Sequence, residues 1–431
     1  MKCSLKILFF LSFLMIRCSS SPEVSEEIMT PIISSKPNIL FVIADDMGKD
    51  ATPTYTEGSI KPDMPVLQGI IDSGIRFNNL WSYSVCTPTR ASILTGKYGV
   101  KTNILKVGDV LSTSEIALQK YINTNAAESY ATAIVGKWHL STNAADPITM
   151  GIDYYAGLLT GGVQSYTSWN LTENGITSNS TVYTTTKFTD LAINWVANQT
   201  KPWFLWLAFN APHTPFHLAP TNLHSQGNLP TDNASINANP TPYYMSAIEA
   251  MDSELGRFLD SLSTEERANT VIIFIGDNGT PNKVAQAPYS RTKAKGSLYQ
   301  GGINVPMIIS GAGVGRVGDF DETLINTTDL FITIANIAGA SSTEVYNSKS
   351  FYNLLSDANS TKRDFIYSEK EDAYTIRNEQ YKLIQYANGT EEFYNLSSDP
   401  YENSNLIGTT LSLDALNAKS ILITEAESIR E

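Results

Sequence analysis

Asn38-Ile39-Leu40-Phe41-Val42-Ile43-Ala44-Asp45-Asp46 decides how this chain is read, because an unbroken apolar run ends on two adjacent acids. Such a run, without polar alternation, reads as a strand buried on both faces, the habit of parallel sheets covered by helices. Residues 131–135, 203–209, 271–275 and 305–309 repeat the pattern. Amphipathic segments lie between them. In residues 243–262, Ile248, Met251, Leu255, Phe258 and Leu262 fall at helical spacing and form a core-facing stripe. The predicted fold class is therefore α/β, a large mainly parallel sheet sandwiched by helices. Past about residue 340 the texture changes. Residues 381–386, the turn Asn388-Gly389 and residues 392–396 read as an antiparallel hairpin, so a smaller C-terminal antiparallel-sheet subdomain is expected.

The residues immediately after the apolar runs carry the chemistry. After the first come Asp45-Asp46, and after the second Gly136-Lys137-Trp138-His139. The third leads into Asn210-Ala211-Pro212-His213 and the fourth into Gly276-Asp277-Asn278-Gly279. Taken singly, each has an ordinary explanation as a helix cap, a turn or a satisfied histidine. In a parallel sheet, however, the C-terminal strand ends share one edge, where ligands bind. Asp45, Asp46, Asp277 and Asn278 offer hard oxygen donors, which suit Ca²⁺ or Mg²⁺ and serve Zn²⁺ or Cu²⁺ poorly. Ca²⁺ is preferred because it tolerates clustered, irregular carboxylates. Arg90, Lys137 and Lys295, together with such a metal, describe a pocket for a compact anion such as sulfate or phosphate. Of the four histidines, His139 and His213 lie at strand ends, whereas His217 and His224 read as loop residues without a role.

The chain has 431 residues and three cysteines. Cys3 and Cys18 fall in an N-terminal export segment, leaving Cys86 alone and unable to form an internal disulfide. A lone cysteine is ordinarily a small buried hydrophobe. Here Pro88 suits the first turn of a helix, Arg90 comes next on the same stretch, and residues 91–94 supply a buried helical face. Residue 86 would then stand at a helix N-terminus, where backbone N–H groups and an arginine favour an anion. At the start, Met1-Lys2 and Lys6 precede an apolar stretch over 7–16, too short to span a bilayer comfortably and fitting a signal peptide. Residues 1–21 are read as that signal, 22–36 as a linker, 37–338 as the catalytic domain and 339–431 as the C-terminal α+β subdomain. Cys18 suggests a lipoprotein site. Arg17 counts against it, and ordinary cleavage near Ser19 to Ser21 is the alternative. Either way the protein is expected to be exported: periplasmic, secreted or a cell-surface lipoprotein of a bacterium. No later stretch looks transmembrane, so a membrane is met only through an N-terminal lipid. The net charge of −13 argues against nucleic acid as a partner.

These motifs resemble the type I, formylglycine-dependent sulfatases of the alkaline-phosphatase-like superfamily. Cys86-Thr87-Pro88-Thr89-Arg90, continuing Ala91-Ser92-Ile93-Leu94-Thr95-Gly96, is similar to that family's modification motif. Gly136-Lys137-Trp138-His139-Leu140 is similar to its second motif. The likeness runs from Pro37-Asn38 to about Leu406 and takes in residues 377–384 and 396–406. One departure is Gln300, where the family usually has Glu before Gly301-Gly302, and it is expected to affect support of Lys295 more than the chemistry.

The resemblance implies that Cys86 is oxidised to Cα-formylglycine by a formylglycine-generating enzyme, a transient partner. The hydrate, bound to the metal through one hydroxyl, would attack sulfur. Asp45, Asp46, residue 86, Asp277 and Asn278 would hold the metal. Arg90 would steady the nucleophile, Lys137 and Lys295 would neutralise sulfate oxygens, and His213 would serve the leaving alcohol. His139 would take a proton from the second hydroxyl, expelling sulfate. Export favours a large extracellular substrate, so the expected activity is desulfation of a sulfated polysaccharide or its oligosaccharides. The alternatives are an arylsulfatase of small esters, a phosphatase or phosphodiesterase of the same superfamily, and a catalytically silent glycan-binding protein. The aromatic segments Asp153-Tyr154-Tyr155 and Tyr166-Thr167-Ser168-Trp169 either line a sugar site or pack beneath a loop.

Overall fold

A computed structural model describes residues 36–360 and 362–431. The residues expected to form a signal peptide, the expected lipid site at Cys18 and nearly all of the expected linker lie outside the described residues. Eleven strands form the main sheet among them: β1 (Asn38–Ala44), β2 (Gly74–Trp81), β3 (Ala131–Lys137), β4 (Tyr154–Leu158), β5 (Trp169–Glu173), β6 (Ile176–Ser180), β7 (Trp203–Ala208), β8 (Thr270–Gly276), β9 (Asn304–Gly311), β10 (Asp319–Asp321) and β11 (Ile325–Asn326). Their order is β10-β2-β9-β8-β1-β7-β3-β4-β5-β6, with β11 paired to β2. β1 lies at the centre, parallel to β7 and β8, and β3 extends the parallel part beside β7. The fifth apolar run, now β9, is antiparallel to both β8 and β2. It starts at the edge where β8 ends, because the intervening chain stays at that edge.

Both faces of the sheet are covered, which is why the strands need no polar alternation. Ile39, Phe41 and Ile43 pack with the helices Cys86–Thr95 and Asp329–Ile337 through Ile93, Leu94, Phe331 and Ile334. Leu40 and Val42 face Thr184–Val196 and Thr241–Asp260. The stripe Ile248, Met251, Leu255, Phe258 and Leu262 lies in that second core. β3 and β7 approach closely at Gly136, where a Cβ would stand 1.9 Å from the Ala208 carbonyl oxygen and φ is +113°. Only glycine fits there.

Beyond the main sheet, Ile366–Lys370, Ala373–Arg377, Tyr381–Tyr386 and Glu391–Asn395 form a separate four-stranded antiparallel sheet. The Leu413–Arg430 helix packs on it through Leu422 and Ala426 against Leu383 and Phe393. Lys382 is buried there and paired at 2.5 Å with the equally buried Glu402. Glu402 also accepts the Gln300 N–H at 2.7 Å, tying this sheet to the chain entering β9. Breaking a buried pair from one side leaves an uncompensated charge. Glu402→Ala is therefore expected to lower unfolding free energy by about 3–5 kcal/mol, measured by urea denaturation.

Candidate active site

The C-terminal ends of β1, β3, β7 and β8 bring the sequence-predicted groups to one edge. Cys86 opens a ten-residue helix that is buried throughout. Its Sγ lies 3.2 Å from His139 Nδ1. Lys137, at the end of β3, bonds Asp45 at 2.5 Å, and both are buried. Arg90 donates to Asp277 Oδ2 and to the Lys137 carbonyl, each at 2.8 Å, and reaches 3.9 Å from Asp45 Oδ1. Lys295 bonds Asp46 at 2.5 Å, and His213 Nε2 stands 3.8 Å from the same carboxylate. Asn278 Nδ2 donates to Asp46 Oδ1 at 2.8 Å, and the Asp46 N–H donates to Asp277 Oδ1 at 3.0 Å. Cys86 and His139 pair with each other beside Asp45 and Asp277, and the other eight predicted site residues form one network of hydrogen bonds and ion pairs. Asp46 and His139 hold positive φ angles of 73° and 57°, which non-glycine residues adopt only where the surroundings enforce it.

The electrostatics are those of charges gathered in a dry pocket. Burial alone would raise Asp45, yet Lys137, His213 and Arg90 hold it well below the usual carboxylate range. Asp277 is pushed up to about 7, first by burial and then by the charge of Asp45. Burial, then Lys137 and Arg90, presses His139 down to about 2, so its imidazole is neutral at physiological pH. The His213 Nδ1 lies 2.8 Å from the Thr214 carbonyl, which can only accept. Nδ1 therefore carries a proton and Nε2 faces the site.

A hard cation fits these residues. Asp45, Cys86 and Asp277 present ligand atoms within 4.8 Å of one another, as do Asp45, Asp46 and His213. The buried Asp45 Oδ1 and Asn278 Oδ1 have no hydrogen-bond partner among the described residues. Uncommitted oxygens beside crowded acids are what a divalent ion satisfies.

Sequence patterns alone do not single out several contributors. Tyr244, within a helix whose stripe reads as core, donates to the Asp46 carbonyl at 2.8 Å. Asp50 and Thr280 brace the Asp45-Asp46 turn, with the Gly48 N–H donating to Thr280 Oγ1 at 3.1 Å and the Thr280 hydroxyl donating to Asp50 Oδ1 at 2.5 Å. Nothing in their spacing marks them. Gln300 corrects one expectation. Its side-chain oxygen accepts from Trp81 Nε1 at 3.3 Å, while Lys295 is held by Asp46. His217 stacks on Tyr166 at 3.9 Å, and His224 bonds the Ala219 carbonyl, both apart from this network. Tyr155 and Tyr166 are buried packing groups, the latter hydrogen-bonded to the carbonyls of Asn210 and His213.

The sulfatase family model matches residues 37–340, and that of the C-terminal part of N-sulphoglucosamine sulphohydrolase matches residues 293–421. The chain belongs to the sulfatase family. The uncharacterized sulfatase YdeN of Escherichia coli K12 is 28% identical over 372 residues, covering 71% of this chain and 63% of its own length. The ulvan-active sulfatase of Formosa agariphila is 24% identical over 437 residues, covering 93% and 82%. The chain thus spans less than two thirds of the E. coli relative and 53% of mouse arylsulfatase J. Two solved structures share the fold. Ps i-CgsB in complex with k-i-k-neocarrahexaose has a TM-score of 0.77 at 23% identity, covering 92% of this chain and 93% of its own. BT4656 in complex with D-glucosamine-2-N,6-O-disulfate has a TM-score of 0.75 at 20% identity, covering 92% and 98%. Among the described residues no helix is long and apolar enough to cross a membrane.

Proposed function

We propose that this protein is an exported hydrolase of sulfate esters on polysaccharides or their oligosaccharides. The observation that carries the reading is Cys86 beside His139, at an edge where Arg90, Lys137 and Lys295 meet Asp45, Asp46 and Asp277. Sulfate-ester hydrolysis needs a nucleophile, neutralisation of three sulfate oxygens and a proton for the leaving alcohol. The set supplies each.

Asp45, Asp46, Asp277 and Asn278, with residue 86, would hold a divalent metal, for which Ca²⁺ is the first choice and Mg²⁺ the second. When bound, it lowers the pKa of a coordinated hydroxyl and neutralises negative charge. Oxidation of Cys86 by a formylglycine-generating enzyme would supply a hydrated aldehyde, with one hydroxyl to attack and another to release sulfate. Lys137 and Lys295 orient the sulfate group through its oxygens, and Arg90 holds negative charge at residue 86. His139, neutral and 3.2 Å from residue 86 through Nδ1, accepts a proton there. In its doubly protonated form, with Nδ1–H held by the Thr214 carbonyl, His213 would donate its Nε2 proton to the leaving oxygen. Three things support the glycan preference: export, a relative named for its action on ulvan, and structural neighbours bound to neocarrahexaose and a glucosamine disulfate.

The reading is tested by incubating modified protein with sulfated oligosaccharides, aryl sulfates, phosphate monoesters and phosphodiesters and measuring release of sulfate, phosphate or phosphomonoester by ion chromatography. Sulfate release is expected, and release of phosphate or phosphomonoester alone would contradict it. A sugar alcohol needs a proton on leaving far more than an activated phenol does. His213→Ala is therefore expected to slow sugar-sulfate hydrolysis by about 10²–10⁴-fold and to slow nitrophenyl sulfate much less. Equal losses would remove His213 from that role.

A further inference from the structure

The chain leaves β1 through the Asp45-Asp46 turn, makes a single 3₁₀ turn at Lys49–Ala51 and then folds back on itself. The fold-back is tight. A Cβ at Gly58 would stand 1.9 Å from the Asp50 carbonyl oxygen, at a φ of +77° that suits glycine. Carbonyls at the end of a helical turn look outward for donors, and here they converge on one. Lys61 Nζ donates to the carbonyls of Lys49 at 3.0 Å, Asp50 at 3.2 Å, Thr52 at 2.8 Å and Glu57 at 2.5 Å. An ammonium has three N–H donors, so four acceptors engage it fully. Rings of carbonyl oxygens hold metal cations in the same manner. Burial presses the Lys61 amine down to about 8 while Asp50 and Glu57 draw it up, so it is an ammonium at neutral pH.

One side chain carries this cage to the site. Asp50, whose carbonyl belongs to the cage, accepts from the Thr280 hydroxyl through Oδ1 and from the Gln286 N–H at 2.8 Å through Oδ2. Thr280 follows Asn278 by two residues. Its Oγ1 takes the Gly48 N–H just past Asp46, and its carbonyl takes the Lys295 N–H at 3.2 Å. Both turns proposed to carry metal ligands are therefore tied to Asp50, together with the lysine assigned to sulfate. Asp50 is buried, where an unsupported carboxylate is costly. Burial raises its carboxyl, and the Thr280 and Gln286 hydrogen bonds and the Lys61 charge oppose that rise.

We propose that Lys61 is a positioning residue for the metal site. Its ammonium acts as a tethered cation at the centre of four carbonyls and fixes the segment over residues 49–57. Asp50 and Thr280 then set the Asp45-Asp46 and Asp277-Asn278 turns at the spacing a divalent ion needs. The hydrogen bonds of Lys61 all go to the cage, so it acts through Asp50 and not on metal or substrate. The inference rests on the metal site of the sulfatase reading.

The test measures calcium affinity by isothermal titration calorimetry on protein whose residue 86 has been verified as formylglycine by mass. Lys61→Ala is expected to weaken binding by about tenfold, the lower end of what a metal site loses with a supporting partner. Propylammonium replaces the atoms that alanine removes, from Cγ to Nζ, and should restore most of that affinity. Tetramethylammonium carries the same charge without an N–H and, at equal concentration, should restore none. Lys61→Arg, which also serves if the alanine variant does not fold, keeps the charge in a planar fork that cannot converge on four carbonyls. It should bind calcium about as weakly. Unchanged affinity in either variant would overturn the role, as would equal rescue by both cations or rescue by neither. Those results leave the metal reading intact, because the parent still binds calcium. A parent that binds no calcium would overturn both.

Discussion

Cys86→Ala is expected to abolish sulfate-ester hydrolysis, with a loss of about 10⁶-fold, the scale seen when a hydrolase loses its nucleophile. The variant should remain folded. Residue 86 is the first residue of its helix, and the ten residues of that helix are fixed by burial on all sides, not by the thiol. Removing Sγ deletes one hydrogen bond, that to His139. Near-UV circular dichroism and the thermal midpoint should therefore stay close to those of the parent. Cys86→Ser makes a sharper comparison. A single hydroxyl can displace the alcohol once but has no second hydroxyl with which to release sulfate. One equivalent of alcohol per protein, then arrest, is expected. Continuous turnover by the serine variant would contradict the need for a hydrated aldehyde.

The second large effect concerns the cation. Asp45 and Asp277 are fully buried within reach of one another, and Asp277 is pushed up to about 7 by burial and by Asp45. A divalent ion relieves that crowding and occupies the uncommitted Asp45 and Asn278 oxygens. Ca²⁺ at a hundredfold excess over its Kd should then stabilise the parent by about 2.7 kcal/mol, read as a rise in thermal midpoint over chelator-treated protein. Asp277→Asn keeps the shape and removes a charged ligand. It should lose most of that rise, and hydrolysis should fall by about 10²–10³-fold, the several kcal/mol a Lewis acid provides. An undiminished calcium response in Asp277→Asn would take this residue out of the metal site.

Much of this arrangement is legible in the sequence alone. The apolar runs became β1, β3, β7, β8 and β9 because strands buried on both faces cannot carry polar alternation. Parallel direction then forced Asp45-Asp46, Lys137, His213 and Asp277 to one edge. The Cys86 helix is readable from Pro88 and the aliphatic run after Arg90. The direction of β9 is not, since an apolar run carries no sign of whether it goes up or down the sheet. Tyr244, Asp50 and Thr280 act through single long-range hydrogen bonds, and such contacts leave no periodic trace. The close approach of the Gly161 and Gly162 backbone to the His139 and His213 rings is invisible for a related reason. Two adjacent glycines read as a turn, and only the histidines brought beneath them from β3 and β7 reveal a close approach.

Residue 86 stands at the centre of this chemistry, and mass spectrometry of protein from its native host reads its state directly. Trypsin should release residues 77–90 as one peptide containing residue 86. We expect the mass of an aldehyde or its hydrate in place of the thiol, together with sulfate release by the same preparation. An unmodified thiol in native protein that still hydrolyses sulfate esters would contradict the aldehyde nucleophile.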